Sequence, residues 1–100
     1  MEIETKEEGS TLTYRLTGAF TFAENQRFRL LLKEAGTSPA RHIKVDFSQV
    51  DFIDSAALGM LLLLRDMSQQ KGKTIELSGA SGQIRKMFDL SKFESLFKLS

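Results

Sequence analysis

Val50-Asp51-Phe52-Ile53-Asp54-Ser55-Ala56-Ala57-Leu58-Gly59-Met60-Leu61-Leu62-Leu63-Leu64 changes its hydrophobic period at a single acidic-hydroxyl pair, and the fold is read outward from that change. Upstream, Ile43, Val45 and Phe47 alternate with Lys44, Asp46 and Ser48, the period of a strand with one buried face. A strand is expected from His42 to Phe47, with a short loop after it. Downstream, Ala57, Leu61, Leu64 and Met60, Leu64, Met67 recur at helical spacings, and Leu58 and Leu62 widen the apolar face. That pattern predicts a mostly buried helix.

Asp54 and Ser55 therefore fall at a helix N-terminus, where the first backbone N–H groups lack intrahelical partners and a side-chain oxygen can satisfy one of them. Either residue can be the cap. A serine in the first turn also presents its hydroxyl beside free N–H groups and the positive end of the helix dipole, so its own domain would tolerate a phosphate there. Two small residues, Ala56 and Ala57, follow, and nothing bulky would shield the hydroxyl from a partner. The pair reads as a modifiable site.

The chain has 100 residues, 41% of them apolar and 27% charged, which fits a single soluble globular domain. Its net charge of +1 gives no field to favour DNA or RNA, and the basic residues are spread among the acidic ones. Cysteine is absent, which excludes disulfides, thiolate metal sites and cysteine nucleophiles and fits a reducing compartment. The N-terminal stretch lacks the apolar run of a signal peptide. Met60 to Leu64 is the longest apolar run, far short of the roughly 20 residues a membrane helix needs. A cytoplasmic protein without a membrane segment is expected.

Before the opening stretch, Ile3-Glu4-Thr5 leads through Glu7-Glu8-Gly9-Ser10 into alternating Leu12, Tyr14 and Leu16, a hairpin closed at Gly18. Thr21-Phe22-Ala23-Glu24 has capping-box spacing, with Thr21 on the third N–H and Glu24 reaching back. The helix it opens is expected over about residues 22 to 35, with Phe28, Leu31, Leu32 and Ala35 inward and Gly36 ending it. After the buried helix, Gln69-Gln70-Lys71-Gly72-Lys73 is a stop and Thr74 to Ser78 a short strand, which pairs parallel with the preceding one. Gly79-Ala80-Ser81-Gly82 is a turn into a third helix with Ile84, Met87 and Phe88 on one stripe, ending near Leu90. Phe93, Leu96, Phe97 and Leu99 suit a final strand or a short helix. The fold class is α/β: a mixed β-sheet covered by helices, in β-β-α-β-α-β-α order.

Other chemistries fit less well. A nucleophilic Ser55 would want a G-x-S-x-G frame, but Ile53 and Ala57 stand at the glycine positions. His42, the one histidine, falls at the opposite end of its strand from Ser55. Asp46, Asp51 and Asp54 suit strand edges and turns as well as they suit magnesium. Gly79-Ala80-Ser81-Gly82 lacks the lysine and the spacing of a nucleotide loop. Phe22, Phe28, Met60, Met67 and Met87 read as core or rim, although a flexible methionine beside Ser55 would suit a binding surface.

The element order, with Asp54-Ser55-Ala56-Ala57-Leu58-Gly59 preceded by Val45-Asp46-Phe47 and Phe52-Ile53, resembles the STAS domain of bacterial anti-sigma factor antagonists. The resemblance covers essentially the whole chain. In that family the motif runs Asp-Ser-Ser/Thr-Gly-Leu-Gly, and the serine after the aspartate, here Ser55, is phosphorylated. Ala56 and Ala57 replace the second hydroxyl residue and the glycine. Thr21 or Phe22 stands where an acidic residue is common. The resemblance implies a non-enzymatic partner switch that needs no cofactor or metal. Its partners would be an anti-sigma factor or a serine kinase of the histidine-kinase-like ATPase type, and a PP2C-like phosphatase. The implied contact surface comprises Asp54, Ser55, Ala56, Ala57, Leu58, Met60, Thr21 and Phe22. Arg85 to Ser91 resembles the family's third helix and its exit, and Phe93 to Leu99 resembles stand-alone antagonists of motility and biofilm control. The family also includes accessory subunits of lipid-transport ATPases, which would co-purify with the transporter irrespective of phosphate.

Overall fold

The computed structural model describes residues 1–100. Strands β1 (Glu2–Glu8) and β2 (Thr11–Phe20) form the hairpin, followed by helix α1 (Asn25–Thr37), strand β3 (His42–Ile53), helix α2 (Ser55–Gln70), strand β4 (Thr74–Ser78), helix α3 (Gly82–Leu90) and a two-residue strand β5 (Lys98–Leu99). The sheet has the order β1-β2-β3-β4-β5. Only the β1–β2 pair is antiparallel; the other three pairs are parallel.

Alternation decides which face is buried. Leu12, Tyr14 and Leu16 lie beside Ile43 and Val45, which lie beside Ile75 and Leu77. With Phe28, Leu31, Leu61, Leu64, Ile84 and Phe88 of the helices, the buried members of this set form one core cluster. The opposite face carries Thr13, Arg15, His42, Lys44, Asp46, Thr74 and Glu76. The helices therefore cover one face of the sheet rather than both. Phenylalanine rings tie the last third of the chain to β3. Phe47 meets Phe88 edge-on at 5.3 Å, Phe88 stacks on Phe93 at 5.2 Å, and Phe93 lies 4.9 Å from Phe97. Each such buried ring contributes roughly 1.5–3 kcal/mol.

The structure corrects several boundaries. β3 continues to Ile53, where a loop was expected after Phe47. Its inward residues change spacing at Val50 and Ile53, and its register against β2 shifts at two irregularities. β2 likewise runs through Gly18 to Phe20. The capping box at Thr21 does not form. Thr21 Oγ1 accepts from Ala23 N at 3.3 Å, a 3-10 turn spans Phe22–Glu24, and α1 starts at Asn25. The Glu24 carboxylate turns instead to the Met1 amino group, 3.1 Å away, and to Arg27 at 3.5 Å. Gly36 lies inside α1, where a Cβ would approach the Met67 sulfur to 3.3 Å. It serves close helix packing rather than termination. The C-terminal segment combines both expected forms, a 3-10 turn at Phe93–Ser95 and then β5 beside β4. No helix is long and apolar enough to cross a membrane.

Candidate functional site

Parallel pairing of β2 and β3 brings their ends together, with Phe20 opposite Ile53. The chain leaves β2 into the Thr21–Phe22 turn and leaves β3 into α2 at the same edge of the sheet. Asp54 joins the two exits. It is the N-cap of α2, with Oδ1 accepting from Ala57 N at 2.9 Å, while Oδ2 accepts from Phe22 N at 3.1 Å. Its own N–H donates to the Phe20 carbonyl at 3.4 Å. The choice between Asp54 and Ser55 as cap is thus decided for Asp54. Ser55, the first residue of α2, is exposed.

Large aromatic side chains are exposed beside the start of α2. Phe22 is 66% and Phe52 46% exposed, and Leu62 and Leu63 are also exposed on α2. Ala56 and Leu58 are half-buried and Gly59 is exposed. Two acidic residues precede the serine: Asp51 is exposed and Asp54 half-buried. Exposed aromatics grouped beside polar residues mark interaction surfaces more often than isolated ones do.

Two residues expected at this surface are not on it. Ala57 is fully buried, its N–H held by the cap and its methyl in the core, and Met60 is buried beneath the same helix. Thr21 is half-buried, with its hydroxyl accepting from Ala23 N. Asp54, Ser55, Ala56, Leu58 and Phe22 come together as expected. Phe28 joins the core, while Met67 and Met87 are half-buried. Sequence reasoning missed Phe52, which lies in the unexpected extension of β3, and Leu62 and Leu63, whose run with Leu61 and Leu64 hides which of them face outward. It also missed Gln83, whose side-chain amide donates to the Ile53 carbonyl at 2.9 Å and accepts the Ile53 N–H at 3.1 Å.

The other residues singled out in the sequence are placed elsewhere. His42 lies at the start of β3 and Ser55 beyond its end. The imidazole is engaged by Thr74 Oγ1 at 2.5 Å and Glu76 at 3.1 Å. Asp46 Oδ1 accepts from Ser48 N at 2.8 Å, and no three of the His, Asp and Glu side chains gather as a metal site. Gly79 is pressed against Ser48, where a Cβ would lie 2.9 Å from the Ser48 nitrogen. The two open clefts, of about 410 and 190 Å³, lie between β1 and α1 around Ile3 and Arg27 and share no residue with the start of α2.

A family model described as the STAS domain matches residues 2–100. A STAS-domain containing protein of Pseudomonas aeruginosa (strain UCBPP-PA14) is 40% identical over 93 residues, which cover 93% of this chain and 91% of that protein. Among solved structures, the unphosphorylated anti-sigma factor antagonist SpoIIAA superposes with a TM-score of 0.78 at 19% identity, covering 99% of this chain and 87% of the other. The Bacillus cell fate determinant SpoIIAA in its phosphorylated form gives 0.76 at 20% identity, covering 99% and 91%. An anti-sigma factor antagonist of Mycobacterium paratuberculosis gives 0.87 at 12% identity, covering 98% and 83%. The mixed sheet with one antiparallel edge, the capped start of α2 and the end-to-end family match agree on one assignment: this chain is a member of the STAS-domain family.

Proposed function

We propose that the protein is an anti-sigma factor antagonist that works by partner switching in the cytoplasm, as a binding module rather than a catalyst. Unmodified, the surface of Asp54, Ser55, Ala56, Leu58, Phe22 and Phe52 binds an anti-sigma factor or a serine kinase of the histidine-kinase-like ATPase type. Phosphorylation of Ser55 by such a kinase releases the partner, and a PP2C-like phosphatase restores binding. The observation that carries this reading is the exposed serine in the first turn of a capped helix, set among exposed Phe22 and Phe52. That SpoIIAA is known in both unphosphorylated and phosphorylated forms supports it. The resemblance of the C-terminal segment to stand-alone antagonists suggests motility or biofilm control as the output.

The physics is that of a charge placed in an apolar contact. A phosphoserine adds roughly −1.5 to −2 charge beside Asp54, and pressing it against a partner that cannot pair it costs desolvation. A cost of about 3–4 kcal/mol lowers affinity roughly 10²- to 10³-fold. The N-terminus of α2 offsets about 0.3–1 kcal/mol of the cost within the domain itself, so the fold survives while the interface fails. Calorimetric titration of the cognate kinase-type partner with two variants tests this. Ser55→Ala binds like the wild type and Ser55→Asp loses its binding; equal affinities for the two would remove Ser55 as the switch.

A further inference from the structure

Strand β3 outruns its neighbour. β4 pairs with it only from His42 to Asp46, so the stretch from Phe47 to Ile53 has no strand on that side. Backbone N–H and C=O groups left without partners at such an edge are costly wherever water is kept out. The connection from β4 to α3 lies against this extension at two points. Gly79, at φ +75°, sits so close to the Asp46–Ser48 turn that a Cβ would lie 2.9 Å from Ser48 N and 3.0 Å from Ser48 Cβ. Gln83, in the first turn of α3, brackets Ile53 with its donated and accepted hydrogen bonds of 2.9 and 3.1 Å. A neighbouring strand engages a residue in the same way, through its N–H and its C=O together. One side-chain amide thus stands in for the missing strand residue.

Ile53 directly precedes Asp54, so what fixes its backbone also fixes where the cap and Ser55 emerge. From the β2 side, the Phe20 carbonyl holds the Asp54 N–H at 3.4 Å, a long bond. The shorter pair from Gln83 closes the other side. We infer that Gln83 is the positioning residue of the Ser55 site, holding the end of β3 in the register that presents the serine to its modifying enzyme and its partner. This inference rests on the switch proposed above for its functional consequence, but its structural part stands on the Gln83–Ile53 bracket alone. Gln83 itself is exposed and acts in this role through the Ile53 backbone.

The test uses Gln83→Met, which keeps the side chain's length and removes both hydrogen bonds, and Gln83→Ala as a second variant. Amide hydrogen exchange is measured residue by residue, and Ser55 phosphorylation is measured as occupancy by mass spectrometry in cells carrying each variant. The expected result is exchange at Ile53, Asp54 and Ala57 faster by roughly 10-fold or more, unchanged exchange at Ile43 and Val45, and several-fold lower Ser55 occupancy. Unchanged exchange at Ile53 overturns the inference. So does a loss of protection spread evenly over the sheet, or a local rise in exchange with Ser55 occupancy as in the wild type. If wild-type Ser55 is never phosphorylated, the proposed switch fails instead, and the exchange measurements alone decide whether Gln83 positions the helix start.

Discussion

Asp54 Oδ2 accepts the backbone N–H of Phe22 at 3.1 Å, across 32 residues of sequence, while its other oxygen caps α2 at Ala57. One carboxylate thus fastens the turn after β2 to the helix after β3. Asp54→Ala removes both bonds, and the expected loss is about 1–3 kcal/mol, or roughly 4–8 °C in melting temperature per kcal/mol for a domain of this size. Asp54→Asn retains most of the cap and is expected to lose less than half as much. Urea denaturation of the three proteins checks the order.

Phe22 and Phe52 are exposed where Phe20, two residues before Phe22, is fully buried. Truncating Phe22 or Phe52 to alanine is expected to leave stability within about 0.5 kcal/mol and to weaken partner binding by at least about 1 kcal/mol. Phe20→Ala, which opens a cavity beside Phe28, 5.1 Å away between ring centres, costs about 3–5 kcal/mol of stability. Parallel denaturation and binding titrations separate the two classes. Partner affinity unchanged by both Phe22→Ala and Phe52→Ala would move the interface elsewhere.

Tyr14 is the only tyrosine, and the chain has no tryptophan, so ultraviolet titration reads it alone. Burial, and then the hydrogen bond its hydroxyl donates to Glu34 at 2.8 Å, push its ionisation well above the ordinary tyrosine range. Folded protein therefore keeps this proton at pH values where the unfolded chain, ionising near about 10, has lost it. The stability tied to the proton is complete below about pH 10 and declines above it, by up to about 1.4 kcal/mol per pH unit, until the folded group ionises too. Tyr14→Phe is expected to cost about 1 kcal/mol at neutral pH and to flatten the alkaline slope. A normal tyrosinate titration of the folded protein would contradict this.

On the uncovered face of the sheet, Glu76 behaves in the opposite sense. The hydrogen bond from the Ser100 hydroxyl, then His42 and the amines of Lys98 and Lys44, hold its carboxyl below the usual range against the effect of its own burial. The stability this provides is present above the unfolded carboxylate value of about 4.3 and is lost as pH falls through the lower folded value. Glu76→Gln is expected to cost about 1–2 kcal/mol at neutral pH and to remove part of the acid slope, measurable by denaturation between pH 3 and 7.

The parts of the fold that follow a constant period were legible in the sequence: the first hairpin, β4, α3 and the switch from strand to helix at Asp54. What escaped is where the period changes. Inward residues of β3 are spaced by two as far as Phe47 and then by three to Val50 and Ile53, because the register against β2 shifts. A strand that slips its alternation looks like a loop when read by period alone. Motif and cap spacing placed Ser55 at the start of α2, where it is exposed. The helical spacing of α2 placed Ala57 and Met60 on its buried stripe, where they are; the contact surface implied by the resemblance set them outside because it followed the motif along the chain rather than around the helix. Gln83 carries no local signal at all, since its meaning depends on β3 ending beside α3.

Because β2 and β3 run parallel and finish together, the Gly9–Ser10 and Gly72 turns lie at the far end of the sheet from Ser55. The molecule is polar in the sense that its two ends differ: one carries Ser55 and the other is a handle. A fluorophore, affinity tag or tether grafted at the handle can follow or immobilise the protein without crowding the end that carries Ser55.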